Sequence, residues 1–471
     1  MLNKMKSASG EKTVLFINPP LYFDSRLQPQ SLDVSLPHLG LLYLATYINH
    51  HSQIFRAKII DIGAQNLNLE QTINKIKKTN PLAICLTAMT PQLQGLYTLA
   101  TAIRQTGPQT VILGGPHISG DPDFINRHPR LFDYAITGEA ETTLLQSLNK
   151  LHLHQKIPLI QSGKAVRNLN RLPIPNRHLI NRRLYQPAES ILFSRGCPFH
   201  CYYCSRPAIS RLVRYRSTSN LISEIKQTYQ YHHSLIDFQD DTFTLRHPPI
   251  INLCQTIIRQ KIKLSWACNT RVDMVDKKLL TLMKTAGCRQ VNFGIESASF
   301  RLRRQIIKKG NFTNRQIRQT FQTCHSLNIK VAAYFMIGHP TETKKNLQAT
   351  RKMILTYPID ILGLSIPLPF PGAPLYKIAQ KQGIVSSQII DDFTCGKMGT
   401  GYSGIYPQYH TSTLSLNYLH QQMAQINRHF YLRPRTVLSN FKTIISSPKK
   451  SLNDLASLIK YGMSSRKPYK L

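Results

Sequence analysis

Acidic residues are scarce in this chain. Its 471 residues include 23 Asp and Glu against 60 Lys and Arg, a formal net charge of +37. A surplus of that size raises nucleic acid, an anionic membrane or an acidic substrate as partners. The surplus is not gathered into one tail or block, however. Positions suited to a carboxylate often hold Asn or Gln, as in Asn66-Leu67-Asn68 and Asn168-Leu169-Asn170. A compositional habit of the source organism accounts for this at least as well as a binding surface, which argues against nucleic acid. Long apolar runs are missing too. No stretch of about 18 apolar residues occurs, against a spanning helix. The segment from Met1 to Lys12 is polar with no apolar core behind it, so no secretory signal is expected. A cytoplasmic protein is expected, with peripheral membrane contact as a variant. Paired cysteines are also absent. Six of the nine, Cys85, Cys254, Cys268, Cys288, Cys324 and Cys395, are scattered. That excludes a disulfide framework, and several of the six lie in apolar runs as small core residues.

What is present is a long alternation of strands and helices. Thr13–Asn18, Ala57–Ile62, Leu82–Thr87, Thr110–Leu113 and Tyr134–Ile136 are apolar runs. Between them, Leu39–Ile48, Leu69–Lys78 (with Asn68 as N-cap), Leu93–Ile103 and Thr143–Leu148 have helical spacing. Continuous apolar strands between amphipathic helices predict a parallel sheet covered on both faces. Such sheets bind ligands at the carboxyl ends of their strands. The loops of interest are therefore Asn18-Pro19-Pro20, Thr87–Pro91, Gly114-Gly115-Pro116-His117 and Gly138-Glu139-Ala140-Glu141. From Asn149 to Ser190 the pattern breaks, and Leu172-Pro173-Ile174-Pro175 reads as a semi-rigid linker.

Next comes Phe193-Ser194-Arg195-Gly196-Cys197-Pro198-Phe199-His200-Cys201-Tyr202-Tyr203-Cys204, behind the apolar Ile191-Leu192-Phe193. Cys197, Cys201 and Cys204 stand at C-x3-C-x2-C spacing, which reads as a strand ending in a metal-binding loop. Thiolates are the usual ligands of iron–sulfur clusters. Three of them leave one iron of a four-iron cluster without a protein ligand, as a catalytic cluster requires. A structural zinc site with a distant fourth ligand is the competing reading. The stretch resembles the signature of the radical S-adenosylmethionine (SAM) superfamily. That resemblance implies a [4Fe-4S] cluster whose open iron binds SAM and whose electron cleaves it to a 5′-deoxyadenosyl radical. It also implies an electron donor such as flavodoxin or ferredoxin.

The N-terminal loops resemble those of cobalamin (B12)-binding domains that precede many radical SAM domains. The shared features are Asn18-Pro19-Pro20, the run Pro37 to Ala45, Gly114-Gly115-Pro116-His117 and Gly138-Glu139-Ala140-Glu141. Gly114, Gly115, His117 and Gly138 are the residues this assigns to cobalamin, since glycines let a large flat ligand approach the backbone. The Asp-x-His-x-x-Gly motif that supplies a lower cobalt ligand elsewhere is absent, and Asp33 and His38 are too far apart in sequence to replace it. His117 is open to two readings, a cobalt ligand or a hydrogen-bonded turn residue. A Rossmann-like domain that binds nothing is the competing reading of the whole segment.

After the cysteines the alternation resumes. Strands over Leu235–Phe238, Leu264–Cys268, Gln290–Phe293, Lys330–Ile337 and Ile361–Ser365 join the one before the cysteines in a six-strand series. Catalytic groups of parallel barrels sit at C-terminal strand ends. The resemblance assigns Asp240 and Asp241 to the SAM amino group, although relatives carry Gly-Gly-Glu there. It assigns Glu296 to the ribose hydroxyls, Arg271 to the SAM carboxylate and Gly338 to the adenine. Helix N-capping competes for Asp240 and Asp241, and an internal ion pair for Arg271. A helix is expected over Leu414–Phe430, then Phe430-Tyr431-Leu432-Arg433-Pro434-Arg435 as in related proteins, then a basic amphipathic helix near Leu452–Tyr461.

The expected fold is α/β. Residues 1–150 form a Rossmann-like parallel sheet of cobalamin-binding type, 151–186 a linker, 187–405 a partial (β/α)6 TIM-like radical SAM barrel and 406–471 a small helical region. The expected function is cobalamin-dependent methyl transfer to an unactivated carbon or phosphorus centre of a small molecule or lipid. A cobalamin-type cyclase or rearrangement enzyme is the first alternative. An RNA-modifying radical SAM enzyme is the second, opposed by Cys85 standing alone where such enzymes carry three further cluster cysteines.

Overall fold

The computed structural model describes residues 11–31, 36–186, 188–228, 235–401 and 405–436. A first parallel sheet is built from β1 (Lys12–Asn18), β2 (Phe55–Asp61), β3 (Ala83–Thr87), β4 (Thr110–Gly114), β5 (Tyr134–Thr137) and β6 (Ile160–Ser162). Their order is β2-β1-β3-β4-β5-β6, and all five pairings are parallel. Val14 lies opposite Ala57 on one side and Ala83 on the other. Val14 to Ile17 are all buried because helices cover both faces, which is why these strands show no polar alternation. Leu41, Ala45 and Ile48 of the helix Leu39–His51 pack with Val14, Phe16, Phe55 and Ala57. The helix Leu69–Thr79 starts where Asn68 caps it, and Gln71 completes a capping box. The strand order reverses between β1 and β3. Such a switch point opens a crevice at the carboxyl ends of the strands, here beside Asn18-Pro19-Pro20 and the loop after Thr87.

The stretch read as linker holds the sixth strand. Ile160-Gln161-Ser162 pairs with β5, Ala135 opposite Ile160. Three residues with a single apolar side chain carry no periodic signal. Beyond it run three single 3-10 turns, Leu169–Arg171, Arg177–Leu179 and Arg182–Leu184. Each follows an asparagine (Asn168, Asn176, Asn181) whose side chain accepts from the backbone N–H two residues on, the local bond that makes Asn a turn former. The same stretch buries cations. Arg177 bonds Glu189 and Glu224, each at 2.7 Å. Arg182 also pairs with Glu189, and Arg216 with Glu224. Both glutamates are buried, so a chain poor in acids spends two of them inside one ion-pair network.

The second sheet takes its six strands in chain order, β7 (Glu189–Ile191), β8 (Leu235–Phe238), β9 (Ser265–Thr270), β10 (Cys288–Glu296), β11 (Lys330–Met336) and β12 (Ile361–Ser365). The pairings β9–β10, β10–β11 and β11–β12 are parallel. Between Gly294 and Glu296 the register slips by a bulge. Helices such as Asn314–Ser326, capped by Thr313 with Gln316, separate the strands. The α/β fold with two parallel sheets is as expected. The described residues of Met1–Pro198, Cys204–Asp237 and Phe370–Pro407 form one compact unit, and those of Phe199–Tyr203, Phe238–Pro369 and Gln408–Leu471 a second. In the second unit the helix Leu416–Leu432 is capped by Ser415. The Arg433 guanidinium lies 3.9 Å from the Phe430 ring centroid and donates to the Ile354 and Ile359 carbonyls. Asp33 and the expected helix near Leu452–Tyr461 lie outside the described residues. Among the described residues no helix is long and apolar enough to cross a membrane.

Removing one carboxylate from the buried network leaves Arg177 and Arg216 short of a partner. Glu224→Ala is expected to cost about 3–5 kcal/mol, the range for breaking a buried pair. Glu70→Ala, exposed in a first helical turn, should cost within about 1 kcal/mol. Urea-unfolding midpoints compare the two, and equal losses would remove the network from the core's stability.

Candidate active site

At the carboxyl end of the first sheet, Gln92 ties the loops together. Its side-chain amide donates to Asn18 Oδ1 at 2.9 Å and to the Pro19 carbonyl at 2.7 Å. Gly95, in the first turn of the helix Leu93–Arg104, lies so close to Pro20 that a Cβ would stand 2.2 Å from its carbonyl oxygen. The other loop glycines differ among themselves. A Cβ on Gly114 would meet nothing nearer than 3.5 Å, and one on Gly138 nothing nearer than 3.6 Å. A side chain at Gly114 would thus make ordinary contact with the Ile136 carbonyl, while Gly138, with φ of +72°, is a glycine its turn requires. Gly115 has φ of +101°, and a Cβ there would meet Ala88 N at 2.7 Å, so its glycine serves the turn itself. His117 is wholly buried. Its Nδ1 lies 3.0 Å from Thr90 Oγ1 and its ring packs edge-on to Phe124. Burial pushes its pKa down to about 4, so it is a neutral part of the packing.

The two glutamates of the Gly138–Glu141 loop point to arginines. Glu141 Oε1 accepts from Arg195 at 2.7 Å, and Glu139 takes Arg195 at 3.3 Å and Arg214 at 3.0 Å. The Arg195 guanidinium also lies 4.7 Å from the Tyr43 ring centroid. Burial opposes the charge on Glu139, yet Arg214 and Arg195 outweigh it and hold its carboxyl below the usual range. Arg195 and Arg214 are paired across a short antiparallel ladder. Arg195 stands two residues before Cys197, and Gly196 follows with φ of +92°, a Cβ there being 2.1 Å from the Leu212 carbonyl oxygen. Cys197, Cys201 and Cys204 are all partly exposed, whereas Cys85, Cys254, Cys268, Cys288 and Cys324 are buried. Burial pushes the Cys85, Cys254 and Cys324 thiols up to about 12. Cys395 is half-buried rather than a core residue. Among the described residues, no three His, Cys, Asp or Glu side chains converge on one point as a single metal ion requires. A multi-iron cluster asks less, because each thiolate meets a different iron.

In the second unit, three consecutive strand ends meet Phe199–Tyr203. After β9, Arg271 is buried with its guanidinium 3.8 Å from the Phe199 centroid. Asp273 holds it by two bonds, 2.9 and 2.6 Å, so the internal ion pair is present. After β10, Glu296 is 3% exposed with φ of +70°. A left-handed, non-glycine residue in a bulge is strained, and such strain gathers at functional sites. Its Oε1 accepts from the Tyr203 hydroxyl at 2.7 Å and from Lys309 Nζ at 3.1 Å. After β11, the Tyr202 hydroxyl lies 2.8 Å from His339 Nδ1. Gly338 and His339 donate their backbone N–H groups to Glu342 Oε2 at 2.6 and 3.0 Å. Gly338 has φ of +95°, and a Cβ there would meet Leu419 at 2.6 Å. After β8, Asp240 is buried and Asp241 half-buried. No spacing in the sequence singles out Tyr202, Lys309 or Glu342, whereas Tyr203 is visible as the aromatic before the last cysteine and His339 as a residue at a strand end. Tyrosine hydroxyls and lysines far along the chain carry no spacing signal.

Residues 30–147 match the B12 binding domain, and residues 191–354 match the radical SAM superfamily. This is a radical SAM enzyme with a B12-binding domain. The radical SAM domain implies a [4Fe-4S] cluster and SAM, and the N-terminal domain implies cobalamin. An uncharacterized methyltransferase of Pyrococcus horikoshii is 28% identical over 86% of this chain and 90% of its own length. An anaerobic magnesium-protoporphyrin IX monomethyl ester cyclase of Rubrivivax gelatinosus is 24% identical over 77% of this chain and 69% of its own length. The fold matches the radical SAM methyltransferase TsrM of Kitasatospora setae, solved with cobalamin and a [4Fe-4S] cluster, at a TM-score of 0.68 and 17% identity, covering 80% of this chain and 79% of that one. It also matches the cobalamin-dependent radical SAM enzyme OxsB, solved with aqua-cobalamin, at 0.69 and 15%, covering 97% and 72%.

The buried Glu342 generates a pH prediction. Burial pushes its pKa up to about 7, against the Gly338 and His339 N–H groups that favour its charge. The folded state then holds a proton that the unfolded state releases above about 4.5, so this residue lowers stability as pH rises toward 7. Gln keeps an acceptor for both N–H groups without titrating. Glu342→Gln should therefore gain stability relative to wild type as pH rises from 5 to 7, and level off above, in melting temperatures. A constant difference across that range would put the charge of Glu342 outside the stability balance.

Proposed function

We propose that this enzyme transfers a methyl group, through cobalamin, to an unactivated carbon or phosphorus centre of a small molecule or lipid. One observation carries the proposal. Phe199, Tyr202 and Tyr203, interleaved with the cysteines, engage three successive strand ends at Arg271, His339 and Glu296. A loop so tied to the catalytic ends of a parallel sheet suits a reactive group better than a structural zinc.

Cys197, Cys201 and Cys204 are the ligands in this reading, and their partial exposure fits groups that must meet a cluster. Bound there, the cluster supplies the electron that cleaves SAM, and cobalamin supplies the methyl carrier. The chain's residues bind and orient. Glu296 offers a charged acceptor for two hydroxyls, which suits a ribose. Arg271, fixed by Asp273 and Phe199, offers a stationary cation for a carboxylate. Asp240 and Asp241 would take the SAM amino group and Gly338 the adenine, although Leu419 packs against that glycine. In residues 1–150, Gly114 and Gly138 are the strand-end backbone that cobalamin would approach, with Gly115 and His117 shaping the turn beneath. An external carrier such as flavodoxin or ferredoxin delivers the electron. The partial barrel is assigned to 187–405 and the helical region to 406–471, while 151–186, read as a linker, also adds the strand Ile160–Ser162 to the first sheet. The Rubrivivax relative, a cyclase, supports ring closure on the same cofactors as the second reading. Nothing supports RNA modification, since Cys85 is buried with its thiol pushed up to about 12.

Anaerobic reconstitution with iron, sulfide, methylcobalamin and methyl-labelled SAM, followed by mass spectrometry of extracts from cells with and without the gene, tests the reaction. A product one labelled methyl heavier supports transfer. A product lighter by two hydrogens without label replaces it with ring closure.

Cys197→Ala, Cys201→Ala and Cys204→Ala are each expected to lose the four-iron cluster, while Cys254→Ala and Cys324→Ala keep iron near wild type. A full cluster in any of the first three would overturn the ligand assignment. Glu296→Gln should keep the cluster and weaken SAM binding by about 1–3 kcal/mol, the value of a hydrogen bond to a charged group.

The protein should bind hydroxocobalamin at about one per chain, the stoichiometry of a single domain of this kind. Gly114→Val should abolish that with the melting temperature kept. Gly115→Val should lower the melting temperature, since its side chain meets the Ala88 backbone. Cobalamin bound undiminished by Gly114→Val would move the site away from β4.

A further inference from the structure

Lys309 has no part in the functional reading so far, yet its surroundings are built for it. It follows a π-helical turn, Leu302–Ile306, a form often found at functional sites. Lys308 before it has φ of +54° and Gly310 after it +138°. Arg303, fully buried, donates to the Ser297 carbonyl at 2.5 Å, the Phe312 carbonyl at 3.0 Å and Asn314 Oδ1 at 2.8 Å. It thus clamps the segment on both sides of Lys309, whose own N–H bonds the Arg303 carbonyl at 2.8 Å.

The Lys309 side chain is only 12% exposed, with Nζ 3.1 Å from Glu296 Oε1 and 3.3 Å from the Tyr203 hydroxyl. Space for the ammonium is kept by Gly294, where a Cβ would stand 2.5 Å from Nζ and 2.8 Å from Glu296 Oε1. The Tyr203 and Lys309 bonds both fall on Oε1, so neither occupies the second carboxylate oxygen. Tyr203 stands between Cys201 and Cys204 in the chain. Burial opposes the charge on Lys309, but Glu296 and Cys201 outweigh it and hold its pKa above the ordinary lysine value.

We infer that Lys309 is a positioning residue shared by Glu296 and the cysteine loop. It aims the Glu296 carboxylate by binding one oxygen, and it places a fixed positive charge beside whatever Cys201 holds. The inference rests on the proposed reading of Cys201 as a cluster ligand and Glu296 as a SAM contact. Net charge and hydrogen bonding near a cluster set its potential, and a cation favours the added electron. Lys309 thereby makes reduction easier and SAM binding tighter by a single placement.

The test compares variants of the full-length, anaerobically reconstituted protein by iron content, by the midpoint potential from a spectroscopic redox titration, and by SAM affinity from the change SAM causes in the reduced spectrum. Lys309→Met keeps the apolar stem and loses the charge. It should hold wild-type iron, titrate at a more negative potential and bind SAM about ten-fold more weakly, the size of one charge-assisted bond. Lys309→Arg should return both readouts toward wild type. Glu296→Gln with Lys309→Met removes both charges and leaves no unpaired buried ion. It covers the case in which the single variant does not fold, and its potential should return toward wild type while SAM affinity stays low. A Lys309→Met protein with wild-type potential and affinity, an arginine variant that restores neither, or a double variant as negative as the single one overturns the inference alone. Wild-type protein that takes up no cluster overturns the cluster reading, and the inference with it.

Discussion

The buried ion pairs of Arg195 and Arg214 with Glu139 and Glu141 fix how the chain enters the cysteine stretch. They lie on two segments far apart in the chain, a strand-end loop of the first sheet and the short ladder that flanks the cysteines. A buried charge that loses its partner is far more costly than a surface one. The backbone entering the cysteine stretch is therefore tied to the Gly138–Glu141 loop, and Gly196 admits no other residue against Leu212. Spare carboxylates would weaken that choice. In a chain with 60 basic and 23 acidic side chains, a buried glutamate is a scarce partner, and misplaced arginines find few alternatives.

Legibility in the sequence followed the physics of each signal. Strands buried on both faces are continuous apolar runs, as in β1 and β3, and β1 to β5 and β8 to β12 were readable to within three residues. Asn68 announced a helix start because capping is local. β6 was not readable, because three half-exposed residues pair through backbone alone. The cysteines were conspicuous by spacing. The Gly138–Glu141 loop was singled out as a ligand loop, and its glycine takes a φ of +72° that the turn itself requires. Its glutamates instead face arginines, which no spacing rule connects across more than 50 residues. Gly115 likewise was read as making room for a ligand, whereas its neighbour is the Ala88 backbone.

Glu296 shows what the sequence offers and withholds at a site. A carboxylate at the end of a predicted strand is visible, and so is the glycine two residues before it. That the strand bulges there, that Glu296 takes a left-handed conformation and that Tyr203 and Lys309 share one of its oxygens follow only from tertiary packing. Backbone strain at a buried acid has to be held by neighbours. Here they are the Arg303 clamp on one side and the tyrosine of the cysteine loop on the other.

His339 and Glu342 extend this logic to the next strand end. A neutral imidazole, its pKa pushed down to about 4 by burial, meets the Tyr202 hydroxyl, while the adjacent carboxyl gathers the two N–H groups of the turn. Burial also raises the Tyr202 phenol well above its ordinary value, which keeps it a donor or acceptor rather than an anion. Glu296 is the buried carboxylate directly bonded to Tyr203, with Lys309 balancing its charge, and the Tyr202 side of the loop rests on neutral groups. Charge reaches the loop through Lys309 and Arg271 alone among the cations described around Phe199–Tyr203, and each is already matched by an acid, Glu296 and Asp273. Of the two, Lys309 also meets the Tyr203 hydroxyl of the loop, so removing it alone would leave the Glu296 charge unopposed beside a centre held there and make that centre harder to reduce.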